Sequence, residues 1–161
     1  MLNESQVNRV WENMLAAEAR ALYFADLASR YTRQKQIITG LSFFLSSGAA
    51  ATVIAKSPTW VPVVLAVASA AASAYSMAVG LDRKVGTMAK LHSTWNRIAT
   101  EYDRLWNHAY DEDAEGQLDS IIQREKEPSE LAATEAPNDQ RLLGKWQDHV
   151  FSMYHLTGQH G

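Results

Sequence analysis

The feature that most limits how this chain can fold is a long stretch with almost no charge. Between Gln36 and Leu81 the only charged side chain is that of Lys56. The uncharged runs on either side of it, 37–55 and 61–81, contain 19 and 21 residues. A helix of about 20 residues, rising about 1.5 Å per residue, crosses a hydrocarbon core roughly 30 Å thick. The sequence therefore predicts two membrane-spanning helices joined by a short turn, which makes them an antiparallel hairpin.

The turn and the charged flanks predict the orientation of this hairpin. In the turn, Ser57 is a suitable N-cap, Pro58 suits the first position of a helix, and Trp60 suits the headgroup region. Six basic residues flank the hairpin on the side of the chain termini: Arg30, Arg33, Lys35, Arg83, Lys84 and Lys90. Because basic residues concentrate on the cytoplasmic side, both termini are expected in the cytoplasm.

A buried hairpin within a soluble helical bundle is the alternative interpretation. A helix that is apolar all round must be enclosed all round, and the rest of the chain offers too few helices to enclose two of them. The membrane interpretation is therefore preferred. Each span also carries a stripe of small and hydroxyl side chains, which either lets helices pack closely or lines a narrow aqueous path in an assembly of several copies. The second possibility gives the candidate pore-lining residues Thr39, Ser42, Ser46, Ser69, Ser73 and Ser76.

Apolar residues recur at alternating spacings of three and four on both sides of the hairpin, which is typical of a coiled coil. The first series is Val7, Val10, Met14, Ala17, Ala21, Phe24, Ala28 and Tyr31, and the second is Met88, Leu91, Trp95, Ile98, Tyr102, Leu105 and Ala109. Asn3 and Gln6 match a capping box at the start of the first helix. No proline interrupts either series, so both helices are expected to continue into the spans.

The predicted fold is therefore all-α, with a two-helix transmembrane hairpin continuous with a long cytoplasmic coiled-coil bundle. Its segments are an N-terminal helix (1–36), the hairpin (37–81), a post-membrane helix (82–110) and an acidic helical segment (111–161). The last segment contains four basic and eleven acidic residues. Within it we predict a short helix over 117–126, a linker over 128–138 with Pro128 as a stop, and an amphipathic helix over 139–154.

Several apolar residues lie outside the two coiled-coil seams. They include Trp11, Leu15, Leu22 and Leu27 beside the first seam and Val85, Trp106 and Tyr110 beside the second. Because a second apolar stripe on a helix requires a second partner, the sequence predicts a homo-oligomer, taken here as a tetramer.

Motifs for catalysis and for metal binding are missing from the sequence. It contains no cysteine, no glycine-rich phosphate loop, no serine nucleophile motif and no paired metal-binding histidines. No enzyme activity, metal or cofactor is therefore predicted.

One basic cluster is a candidate for binding nucleotide phosphates and bases. Lys90, Arg97 and Arg104 recur every seven residues with Trp95 among them, and Arg30 and Arg33 are expected at a similar depth on the neighbouring helix. The alternative is that these residues only determine the membrane topology or form the solvent-exposed flank of a coiled coil.

A polar helix running into two closely spaced spans, followed by a basic helix and a terminal helical segment, resembles the SLATT family of prokaryotic two-span effectors. The resemblance covers nearly the whole chain and includes the stretches 16–31 and 95–110. It implies a pore in the bacterial inner membrane that opens when a nucleotide signal reports phage infection. The subset called Hailong, which is controlled by DNA oligomers, is one possible placement.

The partners implied are the lipid bilayer, further copies of the chain, and a nucleotide or oligonucleotide messenger made by a nucleotidyltransferase, but not duplex nucleic acid. The leading hypothesis is a homo-oligomeric channel, gated through its cytoplasmic bundle, that depolarises the infected cell. One alternative is a non-conducting scaffold that recruits a protein through its coiled coil and acidic tail. Another is a small toxin-like or holin-like pore without a ligand.

Overall fold

The computed structural model describes residues 1–46, 58 and 60–154, without the side chains of residues 45, 46, 62 and 76. All the regular structure in this part of the chain is α-helix, as predicted. The helices are α1 (Glu4–Ser46), α2 (Trp60–Val79), α3 (Leu81–Asn107), α4 (Ala114–Glu135) and α5 (Gln140–Met153). They form two compact units: a bundle unit of Met1–Leu27 and the chain from Thr87 onwards, and an apolar unit of Ala28–Gly86.

The predicted capping box begins α1. The backbone N–H of Asn3 donates to Gln6 Oε1 at 2.8 Å, and the backbone N–H of Gln6 donates to Asn3 Oδ1 at 2.8 Å. Two backbone donors that the first turn leaves unpaired are thereby satisfied. From this cap α1 runs through 43 residues and enters the first predicted span, as expected. The rest of that span, 47–55, lies outside the described residues.

The two heptad series meet in the core of the bundle unit. The N–H of Leu2 donates to the carbonyl oxygen of Ala109 at 2.9 Å, and a ring nitrogen of His92 lies 2.9 Å from the carbonyl oxygen of Ala21. These contacts make α1 and α3 antiparallel neighbours. All seven residues of the second series are buried, as are the residues of the first series from Val10 to Phe24. Each large apolar side chain removed from water in this way contributes about 1.5–3 kcal/mol.

The prediction for the acidic segment was wrong around Pro128. We predicted that this proline ends a short helix, but α4 continues past it to Glu135, and Pro128 is buried inside the helix. Proline in a helix interior loses one backbone hydrogen bond and costs about 3 kcal/mol. Burial of Pro128 with Leu118 and Ile121 on one face of α4 offsets part of this cost. Good helix formers after it, among them Leu131, Ala132 and Ala133, also favour continuation.

The last helix covers apolar residues of α1 that were predicted to pack against another copy of the chain. α5 lies within the range predicted for the last helix, and Asp139 caps it, with Oδ1 accepting from the backbone N–H of Leu142 at 3.0 Å. The second stripe of α1 then packs within the same chain, because the Trp11 ring lies 5.3 Å from Tyr154 and 4.9 Å from Trp106. The apolar residues outside the seam therefore do not by themselves require a second copy. The homo-oligomer stays a prediction.

The apolar unit contains α2 and the flanking parts of α1 and α3. Within Val63–Asn107, a window of mean hydropathy 1.7 is long and apolar enough to cross a membrane, and none of it is buried. It is the single such candidate among the described residues.

We expected the second span to continue into the next helix without a break, but the helix is interrupted at one residue. Gly80 has φ of 61°, in the left-handed region, so α2 ends at Val79 and α3 begins at Leu81. A residue in that conformation cannot extend a right-handed helix.

Candidate functional site

The candidate pore-lining residues lie on α1 and α2 of the apolar unit. Thr39 and Ser73 are exposed, and Ser42 and Ser69 are partly exposed. The side chains of Ser46 and Ser76 lie outside the described residues. Hydroxyl groups at these positions can solvate an ion or water in an assembly, or bond to a neighbouring helix.

Polar contacts hold α1 beside the junction of α2 and α3. Lys35 forms an ion pair with Asp82, and Gln34 Nε2 donates to the Tyr75 hydroxyl at 3.3 Å. The ammonium of Lys84 lies 5.7 Å from the centroid of the Tyr31 ring. Exposed ion pairs contribute at most about 1 kcal/mol, so these contacts fix register more than stability. In these contacts α1 runs antiparallel to the chain around Gly80. A hairpin requires this arrangement.

The three basic residues spaced by seven lie on the exposed side of α3. Lys90 pairs with Glu127 of α4 at 3.1 Å, whereas Arg97 faces solvent. Arg104 lines a cavity of about 620 Å³ together with Glu101 and Asp113. Glu127 of α4 therefore neutralises Lys90 at one end of this basic stripe, whereas Arg104 at the other end only shares a cavity with two carboxylates. Arg97 at its centre is the position best placed to meet a phosphate.

Trp95 does not have the role that the sequence suggested. Its side chain is 1% exposed, and the guanidinium of Arg20 lies 4.5 Å from the ring centroid. A base cannot stack on a ring that is packed within the bundle. Trp95 is part of the heptad core, and the arginine over its ring is a cation–π partner.

The remaining two candidate nucleotide-binding residues, Arg30 and Arg33, are exposed on α1 in the apolar unit. The other four candidates belong to the bundle unit. Lys90, Arg97 and Arg104 are thus the candidates that share one exposed helix face.

A polar cluster within the bundle unit was missed by the sequence analysis. Asn13 donates to the hydroxyl of the buried Tyr102 at 3.3 Å, and that hydroxyl also bonds to the Glu125 side chain. Burial raises the pKa of Glu125, and the nearby Arg20 opposes this shift. Burial, reinforced by the Glu125 charge, likewise raises the pKa of Tyr102. The signal that could have found this cluster is Tyr102 itself, a hydroxyl at a core position that needs a partner.

A second missed feature is a cavity of about 360 Å³ beneath the connection between α4 and α5. Arg20, Tyr23 and Trp95 form one wall of this cavity, and the C-terminal part of α4 forms another. Its size is at the lower end of that of small-molecule pockets. This cavity was not predicted, because the sequence of that part of α4 indicated a linker.

Comparisons with known proteins do not identify a relative of this chain. No protein-family model, no curated protein and no solved structure matches it.

Proposed function

We propose that this chain is a pore-forming effector of the bacterial inner membrane that acts in anti-phage defence. Several copies form a channel through their apolar units, and a nucleotide or oligonucleotide signal gates it through the cytoplasmic bundle units. Opening depolarises the membrane. The observation that carries this proposal is the division of the chain into one unit that buries its apolar residues and another that exposes them.

The contrast between the two units is large. Among the described residues of the apolar unit, Leu81 is the sole buried hydrophobic residue, whereas the bundle unit has a continuous core. Large side chains on α2 and on the end of α1 are 50–79% exposed: Ile37, Leu41, Phe43, Phe44, Trp60, Val63, Val64, Val67, Tyr75 and Met77. A soluble monomer rarely exposes so large a contiguous apolar surface, and a lipid bilayer would cover it.

Insertion is tested by placing a charge in α2. We expect Val67→Asp to cost about 3 kcal/mol of insertion free energy, since an aspartate near the centre of a span is strongly unfavourable. The variant should shift from the carbonate-resistant membrane fraction to the soluble or aggregated fraction. The control is Gln123→Asp on the exposed face of α4, which should remain in the membrane. Equal membrane retention of both variants would contradict the proposal.

Conduction is tested with a potential-sensitive dye in expressing cells and with ion flux from liposomes holding the purified protein. A channel collapses the potential and releases ions, and the hydroxyl stripes predict that Ser73→Val lowers the flux. Flux that is absent under every condition, from a correctly inserted protein, would refute the channel.

Nucleotide control is tested at the centre of the basic stripe. Arg97→Glu should abolish the response to the messenger while leaving insertion intact, because the phosphate contact becomes repulsive. Lys126→Glu, at an exposed position on α4, makes the same type of charge reversal away from the stripe and should keep the response. An unchanged response in Arg97→Glu would remove this residue from the mechanism.

A non-conducting scaffold is the second candidate function. It is favoured by the acidic character of α4 and the turn before it, where Glu112, Asp113, Glu115 and Asp119 are exposed. Such a surface can recruit a basic partner without any pore. The dye measurement separates the two candidates, because a scaffold leaves the membrane potential unchanged.

A further inference from the structure

The helix that packs on the second stripe of α1 is the least embedded element of the bundle unit. Within α5, Leu142 and Val150 are the buried residues, whereas Met153 and the adjoining Tyr154 are 46% and 38% exposed. A cavity of about 110 Å³ lies where α5 meets α1, lined by Leu15 and Phe151 among others. An incompletely filled interface forfeits packing energy. α5 is therefore the element expected to open first.

Two hydrogen bonds that tie α1 to α5 and the adjoining Tyr154 lie at partly exposed edges of this interface. Trp146 Nε1 donates to Asp26 Oδ2 at 3.3 Å, and the Tyr154 hydroxyl donates to Glu18 Oε2 at 3.1 Å. Each such bond to a carboxylate contributes about 1–2 kcal/mol when partly exposed. By contrast, the N-cap of α5 comes from Asp139, which moves with the helix. α5 can therefore leave its site with its helix start intact.

The connection before α5 has the properties of a hinge. It consists of residues 136–139, and its first residue, Ala136, has an extended backbone with φ −95° and ψ 144°. Tyr23 holds it to α1: its hydroxyl donates to the carbonyl oxygen of Pro137 and accepts from the backbone N–H of Asp139 at 3.4 Å. This connection is short, contains a proline and is already extended at its first residue. When the tie from Tyr23 is broken, it can therefore direct α5 towards a neighbouring molecule.

We propose that α5 is exchanged between copies, so that the α5 helix of one chain occupies the α1 stripe of the next. This rests on the proposed function, in which copies are confined together in a membrane. Since every chain carries the same α1 stripe and the same α5, the contacts between α5 and this stripe form equally within one chain or between two, whereas the tie from Tyr23 to the connection is lost on exchange. Confinement raises the effective concentration and lowers the cost of the exchange. The partner that fits this surface is a second copy of this chain.

The absence of cysteine from the sequence permits a direct test. Two full-length chains with different tags are co-expressed, one carrying Glu18→Cys and the other Tyr154→Cys, and membranes are treated with a flexible bis-maleimide. Exchange predicts a product that contains both tags. The control pair combines Glu18→Cys with Glu115→Cys, which lies in the first turn of α4. We expect the exchange pair to link about tenfold more than the control pair.

Two results would overturn the exchange. One is the absence of a doubly tagged product when a single chain with both cysteines links within itself. The other is equal linking by the control pair, which would indicate crowding alone. Failure of the proposed function is recognised separately, because ion flux is measured on the same membranes. Flux without the doubly tagged product refutes only the exchange, whereas that product without flux refutes only the channel.

A hinge variant provides a second measurement. Tyr23→Phe removes the tie to the connection and should raise the doubly tagged fraction about fivefold, the equivalent of one ordinary hydrogen bond. Tyr110→Phe removes an exposed hydroxyl elsewhere and should leave the fraction unchanged. If Tyr23→Phe leaves it unchanged or lowers it, the connection is not the hinge of an exchange.

Discussion

Gly80 is the residue with the most specific backbone requirement in the apolar unit. Its φ of 61° is unstrained for glycine but costs a side-chain-bearing residue about 1–2 kcal/mol. Open space surrounds the position where a Cβ would lie, both at Gly80 and at the helical Gly86. The two glycines thus differ in backbone conformation but not in the space available for a side chain. They are therefore a matched pair for substitution.

We expect Gly80→Ala to lower the thermal stability of the detergent-solubilised protein and Gly86→Ala to raise it. Alanine at 86 gains up to about 1 kcal/mol of helix propensity, whereas alanine at 80 must adopt a left-handed conformation or force a new helix path. Thermal unfolding followed by circular dichroism measures both changes. A gain in stability from Gly80→Ala would contradict the left-handed assignment.

Glu125 predicts a pH dependence of stability within the bundle unit. Its folded-state pKa is raised from the ordinary 4.5 by burial, so the folded state favours the protonated carboxyl. The stability that this group contributes is fully present below its unfolded pKa and is lost as the pH rises through its folded pKa. Glutamine stays neutral and keeps an oxygen that accepts from Tyr102.

Glu125→Gln should therefore gain stability relative to the unmodified chain as the pH rises above 4.5 towards neutrality, and the two should converge in more acidic solution. Denaturant unfolding across this pH range measures the difference. The control is Glu130→Gln, an exposed position on the same helix. A difference for Glu125→Gln that does not change with pH would show that the carboxyl is not protonated preferentially in the fold.

Among the elements, α4 shows most clearly how tertiary packing overrides a local signal. Pro128 is a helix breaker by its chemistry, and yet it is buried within a 22-residue helix. The free energy that the missing hydrogen bond costs should exceed the free energy that burial of the proline ring contributes. We therefore expect Pro128→Ala to raise the free energy of unfolding by about 1–2 kcal/mol.

Denaturant unfolding and hydrogen exchange of α4 amides test this expectation. Ser129→Ala, the neighbouring exposed position, should change the stability by only a few tenths of a kcal/mol. A clear loss of stability in Pro128→Ala would mean that the ring packs well enough to outweigh the missing backbone bond.

The elements that follow from local rules were predictable, and those that depend on packing were not. The heptads placed Met88 and Leu105 in the core, and the caps at Asn3 and Asp139 follow from residue type. The path of α4 beyond Pro128 depends on contacts distant in sequence. For the candidate site, the exposed basic stripe was visible in the sequence. The burial of Trp95 was not inferred, although its heptad position implied it.

At the scale of the whole molecule, the two units should experience different solvents. Trp60 is 64% exposed at the start of α2, whereas Trp146 packs partly against α1 in the bundle unit. In vesicles, lipid should cover the first and leave the second in an aqueous domain.

Brominated lipids should therefore quench part of the tryptophan fluorescence of the reconstituted chain. This quenched part should fall in Trp60→Phe and persist in Trp146→Phe, because bromine quenches only residues that reach the bilayer. Equal quenching of the two variants would contradict the assignment of the apolar unit to lipid.

Within the apolar unit, the left-handed conformation of Gly80 makes the two helical paths mechanically unequal. α1 enters this unit as one continuous helix, whereas α2 is separated from α3 by the joint at Gly80. Rotation of the start of α3 would be partly lost at the joint, but a shift of α1 along its axis would reach Thr39 and Ser42. These two residues should therefore respond to a movement of the helices before the serines of α2 do.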